Sequence, residues 1–139
     1  MNAVDTNVFI YLFDVDEPVK QVQARRCIDG LIRSPDDTVL LWQVACEFLG
    51  CLRRWEHIGK VTAADAERHF QDVLAMFPLV LPTPQVFDVS KRLTMAYSLS
   101  HWDALLLAAA QIADANVLYS EDLQAGLAYE TVTVINPFI

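Results

Sequence analysis

The stretch Asn2-Ala3-Val4-Asp5-Thr6-Asn7-Val8 decides how the rest of the chain is interpreted, because a short apolar segment runs directly into polar residues. A strand that begins at the second residue has little preceding chain to cover it. We therefore expect it to lie in the middle of a sheet, with both faces buried by later elements. Asp5 then stands at the carboxyl end of that strand, where open α/β sheets bind ligands. Asn7 is predicted to cap the apolar helix that follows.

Strand patterns alternate with helical patterns along the remainder of the chain. This alternation predicts a single α/β domain over residues 1–139, a three-layer α/β/α sandwich around a central, mainly parallel five-stranded sheet. Capping boxes are predicted at Thr62 with Asp65 and at Ser100 with Asp103, and Thr83 with Pro84 is predicted to open another helix. After the first strand and helix, further strands are expected near 38–42, 78–82, 116–119 and 131–135, and helices near 18–33, 43–55, 63–77, 84–97 and 101–113.

Composition narrows the class of protein. The chain is 54% hydrophobic, yet no apolar run inside a predicted helix approaches the ~20 residues that a membrane span needs. The first residues lack the basic leader of a signal peptide, so we expect a cytoplasmic protein whose surplus apolar surface is core or interface. Three cysteines, Cys27, Cys46 and Cys51, form no CxxC pair, which argues against both a disulfide framework and a thiolate zinc site.

The formal net charge of −8 has the wrong sign for a protein that binds nucleic acid through a basic surface. Either the partner is not nucleic acid, or carboxylates are concentrated at a cation site that reverses the local field. The four glycines form neither a GxxxxGK[ST] loop nor a GxGxxG turn, and no GxSxG motif is present. Nucleotide-binding loops and a hydrolase nucleophile elbow are therefore not expected.

Four acids share one predicted position in the fold. Asp5 and Asp122 follow strand ends, and Glu47 and Asp103 lie near the beginnings of helices. Strand carboxyl ends and the N-termini of the following helices meet at the same edge of a parallel sheet, so the four can converge. Such carboxylates cannot all stay ionised without a cation, and oxygen ligands select Mg²⁺ or Mn²⁺.

A metal site of this kind suits hydrolysis of a phosphodiester bond. Arg53 and Arg54, on the helix that carries Glu47, are candidates for contacts to a nucleic-acid backbone.

The same residues also fit a purely structural interpretation. Asp5 and Asn7 are suitable helix caps, and Asp103 has capping-box spacing to Ser100. Glu47, costly to bury without a partner, can favour a helix N-terminus or pair with Arg54. The alternative function is therefore a non-catalytic interaction module, in which the acids are caps and the apolar surface binds a partner.

Four motifs follow one another along the chain: Asp5-Thr6-Asn7-Val8, Glu47 after the second strand, Asp103-Ala104-Leu105, and Ser120-Glu121-Asp122. In this order they resemble a PIN domain, and the short chain is similar to VapC toxins of bacterial toxin–antitoxin pairs. The resemblance implies an Mg²⁺- or Mn²⁺-dependent endoribonuclease with Asp5, Glu47, Asp103 and Asp122 as catalytic, metal-binding acids.

By the same resemblance, Thr6, Asn7 and Ser120 help to hold the site. Asp122 is preferred over Glu121 as the fourth acid because the family places its acid two residues after Ser120. The partners that the resemblance implies are an RNA substrate, a cognate VapB-type antitoxin and a second copy of the chain in a homodimer.

Overall fold

The first strand lies in the middle of the sheet, as predicted. In the computed structural model, which describes residues 1–139, β1 (Asn2–Val4) is buried at all three residues. It pairs in parallel with β2 (Thr38–Leu41) on one side and with β4 (Val117–Tyr119) on the other. A strand with parallel neighbours on both sides needs helices on both faces, which explains why Ala3 and Val4 are apolar.

The sheet has six strands in the order β3-β2-β1-β4-β6-β5, one more than the five predicted. Every pairing is parallel except that between β5 and β6, which is antiparallel. β5 was missed because two residues are too few to show an alternating pattern. The remaining strands are β3 (Leu79–Val80), β5 (Ala128–Tyr129) and β6 (Val132–Ile135).

Six helices complete a three-layer sandwich and confirm the predicted fold class. Right-handed crossovers place the first four helices on one face of the sheet and the last two on the other. The packing agrees, since α1 contacts α2 and α3, α3 contacts α4, and α5 contacts α6. The helices are α1 (Thr6–Phe13), α2 (Pro18–Arg33), α3 (Trp42–His57), α4 (Ala63–Met76), α5 (Gln85–Ala96) and α6 (His101–Ile112).

Two predicted helix caps are wrong. Asp5, not Asn7, caps α1: its carboxylate accepts a hydrogen bond from the Thr6 amide, and Asn7 is already the second residue of the helix. α5 begins at Gln85 with Pro84 in the cap position, so Thr83 lies before the cap. The cap lies two residues before the expected one in α1 and one residue after it in α5, within the usual uncertainty of helix ends.

One of the two hydrogen bonds of each predicted capping box is present at α4 and at α6, the one that the hydroxyl of the cap residue accepts. Thr62 Oγ1 accepts from the Asp65 amide at 3.0 Å, and Ser100 Oγ accepts from the Asp103 amide at 3.2 Å. Each hydroxyl satisfies one of the amides that the first turn of a helix leaves without a partner.

The core lies between the sheet and the helices of both faces. Phe9 of α1 is fully buried, and its ring packs against Phe48 of α3 and Phe77 after α4. α6 buries six of its residues, as its apolar sequence predicts. The three cysteines are free thiols, and no helix is both long enough and apolar enough to cross a bilayer.

Replacing Phe9 with alanine tests this packing. Phe9→Ala should lower the free energy of unfolding by about 3–5 kcal/mol, because it removes a ring that joins three elements and leaves a cavity. Urea denaturation of both proteins measures the change. Met95→Ala, at a side chain that is 80% exposed, is the control and should change stability by less than about 0.5 kcal/mol. A loss below about 1 kcal/mol for Phe9→Ala would contradict this assignment.

Candidate acidic active site

Asp5 is the most buried of the four acids and lies where β1 ends. Its Oδ1 accepts from the Thr6 amide at 2.7 Å, and its Oδ2 accepts from Ser120 Oγ at 2.6 Å. Burial raises the pKa of Asp5 to about 6, although both hydrogen bonds oppose the shift. The negative charges of Asp122 and Glu47 also contribute to this raised pKa. The protein therefore disfavours the charged form of Asp5.

Asp122 is brought to the same edge by the chain that leaves β4. Its amide donates to Ser120 Oγ at 3.1 Å, and its Oδ2 accepts from Asn7 Nδ2 at 3.0 Å. The surrounding protein raises the pKa of Asp122 by displacing water, and the charge of Glu121 raises it further. Asn7 thus contributes a hydrogen bond to the acid site in place of the cap that its position suggested.

Glu47 is exposed, so it does not carry the cost of burial that its apolar surroundings in the sequence suggested. Its Oε2 accepts from Thr6 Oγ1 at 2.7 Å, and its Oε1 accepts from Gln43 Nε2 at 3.0 Å. No ion pair joins it to Arg54. Two neutral donors therefore fix the direction of the Glu47 carboxylate without neutralising it.

Asp103 lies half-buried in the first turn of α6. Its amide is bound by Ser100, but its carboxylate accepts no hydrogen bond from the chain, so capping does not occupy it. Its charge raises the pKa of Asp122, which places the two acids near one another.

Gln43 Nε2 also donates to the Trp102 carbonyl at 3.2 Å and so ties the beginning of α6 to α3. Gln43 was missed, although its i, i+4 spacing to Glu47 was visible in the sequence.

A depression of about 570 Å³ opens at this edge, lined by residues that include Asp5, Glu47 and Asp122 but not Asp103. Arg54 also lines it and forms no ion pair with any acid. Arg53, the other predicted backbone contact, instead lies 3.5 Å from Glu56 and does not line the depression. The structure therefore separates two arginines that the sequence treated alike.

The four acids carry negative charge that no lysine or arginine of the chain neutralises. None of them takes part in any of the six ion pairs of the structure. Asn7 Oδ1 is buried beside them and has no hydrogen-bond partner. An unsatisfied oxygen next to unpaired carboxylates is a set of donors that suits a hard divalent cation.

The side chains are not already gathered around one point. No group of three or more histidine, cysteine, aspartate or glutamate side chains is placed so that it could hold a metal ion. The chemistry of the oxygen donors fits Mg²⁺ or Mn²⁺, while the positions of these side chains require adjustment to coordinate either.

Comparison with known protein families identifies the family to which this chain belongs. The sequence profile of the PIN domain matches residues 3–127, which is most of the chain. The chain belongs to the PIN-domain family. No curated protein matches it significantly in sequence. The match begins within the strand before Asp5 and extends past Asp122, so the PIN domain includes all four acids.

Solved structures share the whole PIN fold at low sequence identity. A toxin–antitoxin complex from Klebsiella pneumoniae has a TM-score of 0.72 at 18% identity and covers 99% of this chain and 98% of its own. VapBC2 from Rickettsia felis, bound to a promoter DNA fragment, has a TM-score of 0.69 at 10% identity, with 96% of each chain covered. Mycobacterium tuberculosis VapC20, a sarcin–ricin loop cleaving toxin, has a TM-score of 0.63 at 15% identity, with 88% and 90% covered.

The pKa of Asp5 leads to a prediction about stability and pH. The folded state holds a proton on Asp5 up to about pH 6, whereas the unfolded state releases it near 3.8. The folded state therefore binds more protons between these values, and the Asp5 contribution makes the protein less stable as pH rises through this window. A shift of about two pKa units corresponds to about 3 kcal/mol at most.

Urea denaturation in EDTA at several pH values, with Asp5→Asn beside the parent chain, measures this effect. Asp5→Asn should become the more stable of the two as pH rises from about 4 to 7, because it cannot ionise. If the difference in stability between the two proteins does not change across this window, the raised pKa is wrong.

Proposed function

We propose that this chain is an Mg²⁺- or Mn²⁺-dependent endoribonuclease toxin of the VapC type, with residues 1–139 acting as one domain in the cytoplasm. The observation that carries the proposal is that Asp5, Glu47, Asp103 and Asp122 lie at the carboxyl edge of the sheet and that none of them pairs with a lysine or arginine. Membership of the PIN family and likeness to toxin–antitoxin structures support it.

In this proposal the four acids are the catalytic and metal-holding groups. Asp5 is held by Thr6 and Ser120, Asp122 by Asn7 and Ser120, and Glu47 by Thr6. These donors set the direction of each carboxylate before any ligand binds, which is how neighbouring groups usually support a metal site. A bound divalent cation would lower the pKa of a water molecule and present positive charge to the phosphate.

Arg54 is the residue of the chain best placed to contact RNA. Its side chain lines the acidic depression and has no acid partner, so its guanidinium is available to a phosphate oxygen. This local positive charge, with the cation, offsets the net charge of −8 where the backbone of the substrate would lie.

The proposal also includes protein partners. A groove of about 620 Å³ adjoins the acidic depression, and twelve of its sixteen lining residues are hydrophobic, among them Trp42, Phe87 and Trp102. These three side chains are 45%, 69% and 64% exposed. An exposed apolar surface of this kind is typical of protein contacts, and it suits a VapB-type antitoxin or the second copy in a homodimer.

Cleavage of RNA by the purified chain is the first test. With Mn²⁺ or Mg²⁺ present, total cellular RNA should give discrete products on a denaturing gel, and EDTA should abolish them. Asp103→Asn should lower the rate at least 100-fold, because it removes a carboxylate that has no other partner. Asp88→Asn, at an exposed aspartate in the first turn of α5, is the matched control and should cleave at the parent rate.

The same experiment decides between the proposal and the non-catalytic interaction module. Full activity of a folded Asp103→Asn protein would count against the four-acid site. The absence of cleavage by a folded, metal-loaded and antitoxin-free chain would favour the interaction module, in which the acids serve only as caps.

The two neighbouring arginines are expected to behave differently. Arg54→Ala should raise KM for RNA several-fold and reduce the dependence of log Kd on log salt concentration by about one, because one phosphate contact is lost. Arg53→Ala should change neither quantity, since Arg53 pairs with Glu56 away from the depression. Binding titrations at several salt concentrations measure both, and equal effects of the two substitutions would contradict the assignment.

A further inference from the structure

Glu121, the residue directly before Asp122, is held by side chains from two helices. Its Oε1 accepts from Tyr11 Oη at 2.6 Å, and its Oε2 accepts from Lys20 Nζ at 3.0 Å. Lys20 Nζ also donates to Tyr11 Oη at 3.1 Å. The three groups therefore close a triangle in which each contacts the other two.

One face of α1 holds two consecutive residues of the segment that carries Asp122. Asn7 and Tyr11 lie one helical turn apart, and they bind Asp122 and Glu121 respectively. Residues 120–127 belong to no helix or strand, and backbone hydrogen bonds to β6 hold the two ends of this segment, at Ser120 and at Gly126 and Leu127. Residues 121–123 between them make no backbone–backbone hydrogen bond, and there the side-chain contacts to α1 and α2 hold Glu121 and Asp122.

The position of the Lys20 ammonium is itself restricted by aromatic rings. It lies 4.7 Å from the centre of the Tyr11 ring and 5.8 Å from that of Phe138, and these two rings pack edge to face at 5.1 Å. Cation–π contacts and the two hydrogen bonds of the ammonium favour the same location. Lys20 is therefore placed by four contacts beside the acid that it neutralises.

We propose that Lys20 is a positioning residue: through Glu121 and Tyr11 it fixes the loop so that Asp122 faces the acidic depression while Glu121 is held away from it. The consequence for catalysis rests on the proposed function, whereas the effect on the loop does not. Glu121 and Asp122 are adjacent carboxylates that repel one another, and Lys20 offsets the charge of the one outside the site.

A positioning role and a general stabilising role predict different results. The side chain of Lys20 is 36% exposed, and ion pairs this exposed contribute at most modestly to the stability of a whole fold. The local effect should be larger, because Glu121 is held by no other side chains and lies within the irregular segment. The loop, and not the core, is where loss of Lys20 should be detected.

The test compares Lys20→Met with Lys60→Met in the full chain. Lys60 is a matched control, because its Nζ lies 2.8 Å from both Asp14 and Asp16 and 4.5 Å from the centre of the Trp55 ring, outside the acid site. Tyr11→Phe, which removes only the hydroxyl of the triangle, is the second variant should Lys20→Met fold poorly. Hydrogen–deuterium exchange and steady-state RNA cleavage are measured on each protein.

Lys20→Met should speed amide exchange in residues 120–127 about tenfold while the core strands stay protected. It should lower kcat about tenfold and leave KM within about twofold, as expected when a group that orients a catalytic acid is removed. Tyr11→Phe should change both in the same direction, and Lys60→Met should leave the loop and kcat unchanged.

Unchanged exchange in residues 120–127 for both Lys20→Met and Tyr11→Phe would overturn the proposal, as would an equal response of the loop to Lys60→Met. If the parent chain cleaves no RNA, the proposed function fails, but the exchange measurement still decides whether Lys20 holds this loop. The two failures are therefore distinguishable.

Discussion

The hydrogen bond from Ser120 Oγ to Asp5 Oδ2, at 2.6 Å, joins the ends of two neighbouring strands and makes a buried carboxylate tolerable. Asp5 is only 6% exposed, because it follows a strand that has parallel partners on both sides. A carboxylate in this position requires donors from the protein itself. The pairing of β1 with β4 supplies Ser120, and the first turn of α1 supplies the Thr6 amide. The rest of the site is arranged around this contact.

The negative charges of the acids at this edge of the sheet have no cationic partner, whereas several acids elsewhere in the chain pair with a lysine or an arginine. Lys20, Lys60 and Arg92 all pair with acids outside the depression, whereas Asp5, Glu47, Asp103 and Asp122 have only neutral donors or none. Burial first and the neighbouring negative charges second raise the pKa of Asp5 and of Asp122, so the folded chain carries a local cost for keeping these groups ionised. This cost, at the carboxyl edge of the strands, is what the proposed cation would relieve.

A single short helix links the core to this edge. α1 buries Phe9 among other rings, accepts Asp5 as its cap, and presents Asn7 and Tyr11 to the loop after β4. The apolar residues of α1 pack against the core and fix the position of the helix. Its polar residues Asn7 and Tyr11 can therefore hold Asp122 and Glu121 at defined positions. Rigid elements hold functional groups more accurately than loops do, and here one such element steadies the loop that carries Asp122.

The sequence by itself determined the α/β sandwich, the central first strand, the hydroxyl caps of α4 and α6, and the edge of the sheet at which Asp5 and Asp122 lie. Strand ends, helix periodicity and helix caps depend on residues that are close to one another in the chain, so the sequence is enough to predict them. Only the tertiary structure decided that Asn7 binds Asp122, that Glu47 is exposed and held by Thr6, and that Arg54 rather than Arg53 reaches the depression. The Asn7–Asp122 and Thr6–Glu47 bonds span 115 and 41 residues, and the direction in which each side chain points depends on packing between elements that sequence spacing does not record.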